Sequence, residues 1–288
     1  MSTETGTLYI VATPIGNLGD ITLRALEILK TADIVAAEDT RQTGKLLAHF
    51  DIKKPLISYF EHNKAQRGPK IIEMLKEGST VALVSDAGTP GISDPGADII
   101  RLARAEGIAV TMAPGPAAGI MAVVLSGLDT SSFLFQGFLP EEKRKRHEIL
   151  KELKGQPRTV IFYESPHRIK DTIGEICDII GPDRRLALCR EMTKIHEEVV
   201  LLPAEEHLNG FGEKPPRGEY VIVMEGRSPE DAKAELHARW AAVSVAEQID
   251  GYIKEGLSRK EAMRRAGEER GMGRNEIYAA YEAEKKSR

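Results

Sequence analysis

The chain has 288 residues, 41% of them hydrophobic and 29% charged, with a formal net charge of −4. That size and balance suit a soluble protein of two domains with a small appendage, and no apolar run of about 18 residues is present to span a bilayer. The charge argues against a polyanion binder working by bulk electrostatics. The N-terminal MSTETGTLYIVAT lacks the parts of a secretory leader, and two cysteines, Cys177 and Cys189, fit a reducing cytoplasm.

The first ~115 residues alternate strand and helix signals. Strand TLYIVAT (7–13) leads to a helix over 20–30, then strand DIVAAE (33–38) and a helix over 41–49. Strand PLISY (55–59), a helix over 65–76, strand TVALV (80–84), a helix over 95–106 and strand IAVTMA (108–113) follow. Such alternation predicts a mostly parallel sheet covered on both faces. A small-residue helix over 116–126 runs into Gly127-Leu-Asp-Thr-Ser131, a domain junction.

The second half reads as α+β. Strands are expected at 132–138 and 159–164 around a charged helix over 141–153, then a helix over 168–180. RLALCRE (185–191) and EEVVLL (197–202) are too close for a parallel crossover and predict an antiparallel hairpin, with EYVIVME (219–225) the last strand. From Ser228 three helix-sized pieces break at Gly256 and at Gly271–Gly273, suggesting a helix-turn-helix-like tail. The expected domains are therefore 1–116, 117–227 and 228–288.

Three strands end in Pro/Gly turns: Pro14-Ile-Gly-Asn17, Ser85-Asp-Ala-Gly-Thr-Pro-Gly-Ile-Ser-Asp-Pro-Gly96 and Pro114-Gly-Pro-Ala117. Ligands of open α/β sheets bind beyond the carboxyl ends of strands, so three special loops there point to one shared pocket. Neither a Walker loop nor GxGxxG is present, so backbone and a carboxylate would hold the ligand rather than a phosphate cradle. The seven histidines are scattered without HExxH spacing, and no metal is expected. Two segments are locally basic: 141–158 has seven Lys/Arg against four Glu, and 256–288 has nine against six. Each reads either as a solvated helix face or as a phosphate-gripping surface; the tail can equally be a dimerisation arm.

LYIVATPIGNLGDIT (8–22), AEDTRQT (37–43), SDAGTPGISDPG (85–96), FYESPHR (162–168), RGEYV (217–221) and GLSRKEA (256–262) carry a resemblance that covers nearly the whole chain. The chain resembles the tetrapyrrole methylase superfamily and, within it, the ribosomal RNA small-subunit methyltransferase I family. The resemblance implies two α/β domains with S-adenosylmethionine in the cleft between them. It also implies a cytoplasmic homodimer that 2′-O-methylates the ribose of a cytidine in the decoding region of small-subunit (16S) rRNA. By the same resemblance Pro14, Ile15, Gly16, Asp86, Ala87, Gly88, Thr89, Gly91, Pro116, Ala117 and Tyr163 are the expected cofactor residues. Ala87 stands where the superfamily's Gly-Asp-Pro motif has its proline, a departure that points away from small tetrapyrrole substrates.

Methyl transfer is an in-line displacement, so the protein must align the partners and polarise a weakly nucleophilic ribose hydroxyl. Glu164, Glu191, Lys194 and Arg190, at the ends of second-domain strands, are the expected catalytic groups facing the cleft. Ser93-Asp94 reads as a helix N-cap, and Glu38-Asp39-Thr40-Arg41 as either substrate contact or cap. Arg41, Arg144, Arg168, Arg217, Arg264 and Arg265 are the expected substrate contacts, with the 30S subunit or its rRNA as partner. Two other readings remain open at this level: methyl transfer to a small molecule or protein, and a non-catalytic RNA-binding assembly protein.

Overall fold

The computed structural model describes residues 5–212, 215–228, 230 and 240–286. Most of the stretch joining the last strand to the tail helices, within 229–239, lies outside the described residues. The chain separates into two compact units, one of Met1–Lys151 with Arg158–Glu225, the other of Glu152–Pro157 with Gly226–Arg288.

The first unit holds two five-stranded sheets. Its N-terminal half runs β1 (Thr7–Val11), α1 (Leu23–Thr31), β2 (Ile34–Ala37), α2 (Thr40–His49), β3 (Leu56–Ser58), α3 (Lys64–Lys76), β4 (Val81–Val84), α4 (Ala97–Ala105) and β5 (Ala109–Ala113). All pairings are parallel, in the order β3-β2-β4-β1-β5. Residues alternate across the sheet, so Leu8, Ile10 and Leu83 pack with Ile71, Leu75 and Ile99 on one face. Val11, Val35 and Val84 pack with Ala25, Leu29 and Leu47 on the other. Two covered faces explain why these strands read as continuous apolar runs.

The unit continues through α5 (Ala118–Leu125), β6 (Phe133–Phe138), α6 (Lys143–Leu153), β7 (Thr159–Glu164), α7 (Ile169–Ile179), β8 (Arg185–Arg190), β9 (Glu198–Pro203), α8 (Ala204–Gly210) and β10 (Tyr220–Met224). The second sheet is mixed, in the order β6-β7-β10-β8-β9, with β6 and β7 parallel and the other pairs antiparallel. The expected hairpin is present as β8–β9, paired from Arg185–Pro203 to Arg190–Glu198. The short helix α8 carries no strong periodic signal and was not anticipated. Ile161, Ala187, Cys189, Val221 and Val223 face α5, and Ile15 of the first loop packs against this cluster.

The second unit contains α9 (Val245–Lys254), α10 (Arg259–Arg270) and α11 (Arg274–Lys286). Ser244 with Glu247 and Ser258 with Glu261 form capping boxes, and Gly271 closes α10 at φ +66°. Ile249, Tyr252, Ala262, Ala266, Ile277 and Tyr281 make a separate core. Among the described residues no helix is long and apolar enough to cross a membrane.

Candidate functional site

The sheet order places β4, β1 and β5 side by side. The three Pro/Gly loops therefore emerge next to one another at the carboxyl edge, where an open α/β sheet leaves a crevice. Thr13 and Gly88 exchange backbone hydrogen bonds of 2.9 and 3.0 Å, and the Thr13 hydroxyl donates to Ser85 O at 3.1 Å. The Thr89 hydroxyl donates to Pro116 O at 3.4 Å. Gly88 holds φ +78°, and a Cβ there would point at Ile15 Cγ2 (3.3 Å) and Pro116 O (3.8 Å). So Pro14, Ile15, Gly16, Asp86, Ala87, Gly88, Thr89, Gly91, Pro116 and Ala117 all lie in these three adjoining loops.

Carboxylates collect at the same edge. Asp86 Oδ1 accepts from Asp39 N–H at 3.0 Å, tying the β4 loop to the end of β2. Burial, then the negative charge of Asp86, raises the pKa of Glu38. Burial, then Glu38, pushes Asp94 up to about 6, with Asp86 adding to the shift. Asp94 is not the helix cap that its position suggests. The N-cap of α4 is Gly96, with no side-chain cap, and Ser93 adopts φ +63°, a turn that leaves Asp94 among the other carboxylates. Asp39 does cap α2, accepting from Arg41 N–H at 2.8 Å and also binding the Arg41 guanidinium.

The second sheet supplies the opposite wall. The Tyr163 hydroxyl accepts from Gly119 N–H at 3.1 Å, and burial, followed by smaller influences including Asp94, leaves its pKa raised. Lys194 Nζ donates to Glu191 Oε1 and Glu219 Oε2, each at 2.8 Å. Glu219 N–H also donates to Glu191 Oε1 at 3.0 Å. Burial opposes the charge on Lys194, but the two glutamates outweigh it and its pKa is raised. The Lys194 hydrogen bond, then the Glu219 backbone, lowers the pKa of Glu191. Glu191 and Thr193 sit at φ +52° and +67°, conformations that non-glycine residues adopt at an energetic cost and that cluster at functional loops.

The structure separates the four expected catalytic residues. Lys194 lies against Gly16 of the first Pro/Gly loop with Glu191 bonded to it, whereas Glu164 and Arg190 do not face that loop. Tyr163 and Glu164 are consecutive on β7 and point to opposite faces. Tyr163 is on the α5 face, and Glu164 is buried toward α7, accepting from Thr172 Oγ1 at 2.7 Å and Ser165 N–H at 2.8 Å. Arg190 follows Cys189 in the same way. It pairs with Glu198 at 3.0 Å and, with Arg217, lines a separate cavity of about 730 Å³ beside α8.

The remaining expected substrate contacts scatter. Arg41 and Arg144 are exposed, Arg144 pairing with Glu148. Arg168 donates to Leu139 O at 2.9 Å and Pro140 O at 3.3 Å. In the tail unit Arg264 is exposed and pairs with Glu268, while Arg265 pairs with Glu269 and lies 4.3 Å from the Tyr252 ring centroid. Sequence reasoning missed the Glu38–Asp94 pairing, the Glu219 carboxylate and the aromatic face of β6. Only the last left a local trace, Gly137 inside a strand.

The crevice leaves room for close backbone approach and favours positive charge. The glycines at φ +78° and +83° (Gly88 and Gly91) give the first property, and Glu38, Asp86 and Asp94 give the second. The positive sulfonium and ammonium of S-adenosylmethionine complement that acidic lining.

Comparison with known proteins agrees. The Tetrapyrrole (Corrin/Porphyrin) Methylases family matches residues 7–207. The "Ribosomal RNA small subunit methyltransferase I" of Halalkalibacterium halodurans is 47% identical over 281 residues, covering 98% of this chain and 96% of that protein. The Bacillus subtilis protein of the same name is 44% identical, covering 96% and 94%. Among solved structures, a diphthine synthase superposes with TM-score 0.60 at 15% identity, covering 77% of this chain and 90% of that one. A Thermus thermophilus uroporphyrin-III-C-methyltransferase gives 0.54 at 23%, covering 76% and 94%. These two likenesses concern the fold alone. The chain belongs to the tetrapyrrole methylase family and, within it, to the ribosomal RNA small subunit methyltransferase I family.

Proposed function

We propose that the protein is an S-adenosylmethionine-dependent methyltransferase that 2′-O-methylates the ribose of a cytidine in the decoding region of 16S rRNA. In this reading residues 1–116 hold the cofactor, 117–227 close the cleft over it, and 228–288 form an accessory tail. The protein acts in the cytoplasm as a homodimer; the exposed Ile120, Val124 and Leu125 on α5 support a second copy there.

When bound, S-adenosylmethionine supplies a methyl group activated by its sulfonium. Pro14–Gly16, Asp86–Gly91 and Pro116–Ala117 would hold and orient it by backbone approach, and Glu38, Asp86 and Asp94 would balance its positive charge. The observation that carries the catalytic reading is Lys194, held charged by Glu191 and Glu219 with its stem across Gly16. Its ammonium would donate to the ribose oxygen and stabilise negative charge as the proton leaves. The ionised Glu191, and Asp94 once it has lost its own proton, are the groups able to take that proton. Glu164 and Arg190, turned to the other face, support the fold.

The test measures methyl incorporation into purified small subunits, naked rRNA and a tetrapyrrole. Incorporation into subunits or rRNA at the ribose is expected, and Lys194→Met, which keeps the stem, should lower kcat by about a hundredfold at unchanged cofactor affinity. Methylation of the tetrapyrrole alone, or of nothing, would sink this assignment.

A further inference from the structure

The edge strand β6 carries phenylalanines at 133, 135 and 138. With strict alternation Phe135 and Phe138, three apart, would point to opposite faces. The pairing with β7 shows otherwise: Phe135 is opposite Ile161, Gly137 opposite Phe162 and Phe138 opposite Tyr163, with a register shift between Phe135 and Gly137. One extra residue is thus accommodated in β6, with Gly137 at φ +70°. This bulge brings Phe138 onto the same face as Phe135 and Tyr163. Both phenylalanine rings meet the tyrosine edge-on, at centroid distances of 5.1 and 5.6 Å.

This aromatic face adjoins the cofactor crevice. A Cβ on Gly137 would lie 3.1 Å from Ser93 Oγ, in the same loop as Asp86 and Gly91. Even so, Phe138 is 54% and Phe135 37% exposed. The backbone that presents Phe138 is pinned. Arg168 holds the Leu139 and Pro140 carbonyls, and Arg146 donates to Pro140 O at 3.0 Å and Glu141 O at 2.9 Å. Arg146 is itself fixed by a two-point pairing with the buried Glu175. An exposed ring on so rigid a support is a surface prepared for a flat ligand, because little freedom remains to be lost on contact.

Resting on the reading above, we propose that Phe138, with Phe135 and Tyr163 behind it, is the platform on which the base of the target nucleotide stacks. Sequence-specific recognition of RNA commonly takes unstacked bases and lays them on aromatic rings. A base held on Phe138 would leave its own ribose beside the β4 loop, where the methyl group is presented. Phe138 is then a substrate-positioning residue, and Arg168 contributes by holding Leu139 and Pro140 rather than by gripping phosphate.

The test uses the full chain with purified small ribosomal subunits lacking the modification. Phe138→Ala should lower kcat/KM by about ten- to a hundredfold, mainly through KM, the span of a lost base–aromatic stack. Phe138→Tyr should restore it to within about twofold, since the ring face is kept. Calorimetric affinity for S-adenosylmethionine and the sedimentation coefficient should not change in either variant. An unchanged kcat/KM in Phe138→Ala overturns the proposal. So does dissociation of that variant to monomers, which would make the ring a contact for a second copy, or a loss of cofactor affinity. If the wild-type chain methylates no RNA, the functional reading itself fails and the platform falls with it.

Discussion

The side chain of Lys194 lies across Gly16, so closely that a Cβ on the glycine would fall 2.5 Å from Lys194 Cγ and 2.9 Å from Cε. A residue of the second sheet's β8–β9 connection thus rests on the first loop of the parallel sheet. A side chain at 16 would have to displace that lysine.

Gly16→Ala should therefore act on Lys194. The lysine stem is flexible and can move aside, but Gly16 holds φ +157°, a conformation alanine rarely adopts, so stability should fall by ~1–3 kcal/mol. Moving the ammonium by even an ångström misplaces it for catalysis, and kcat should fall by about a hundredfold. Thermal unfolding and single-turnover rates together check this. A normal rate in Gly16→Ala would mean that Lys194 has no part in the chemistry.

Asp94 gives a pH signature. An ordinary aspartate titrates near 3.8, and burial with the neighbouring Glu38 holds this one near 6. Between those values the folded chain keeps a proton that the unfolded chain has lost, so stability should decline as pH rises through about 4 to 6. Asp94→Asn should flatten that slope, and Asp86→Asn should reduce it by removing a like charge. Denaturant melts at half-unit pH steps read the slope directly. A cationic ligand should also release protons from Asp94 near pH 5.5, visible as a buffer-dependent calorimetric heat; an identical heat in all buffers would contradict its placement.

Glu164 should behave as a structural residue. Its two oxygens accept from Ser165 and Thr172 within the second sheet's own layer. Glu164→Ala leaves those donors unpaired and should cost ~1–3 kcal/mol. Glu164→Gln should lose less, and the folded fraction should turn over at the wild-type rate. A rate collapse in a well-folded Glu164→Gln protein would return the residue to the catalytic set.

The two neighbouring arginines of α10 should separate in their effects. Arg264 is exposed on a groove shared with Lys260, Arg274 and Tyr278, whereas Arg265 stacks on Tyr252 and pairs with Glu269. Arg264→Glu should weaken RNA association most at low salt and make log K less steep in log salt, without lowering Tm. Arg265→Ala should lower the melting temperature of the helical unit instead. Filter binding across a salt series and a thermal melt distinguish them; equal effects on RNA would make the whole helix face a phosphate contact.

Local chemistry made much of the molecule legible from the sequence. The strand–helix alternation, the antiparallel β8–β9 hairpin and the three Pro/Gly loops all follow from short-range periodicity and turn residues, which act over a few positions. The loops could also be assigned to one pocket in principle, since parallel strands share a carboxyl edge. The side to which each functional group points was decided elsewhere. Tyr163 and Glu164 cannot both face one cleft, because successive strand residues alternate; only the packing of α5 on one face and α7 on the other selects the tyrosine. The bulge before Gly137 overrides the same alternation for Phe138. Glu38 is far in sequence from Asp86 and Asp94 and acquires its coupling to them because β2 lies beside β4. Sequence fixes which elements form because hydrophobic period and turn propensity are local, whereas which residues meet depends on sheet order and face, which are settled only when the layers pack.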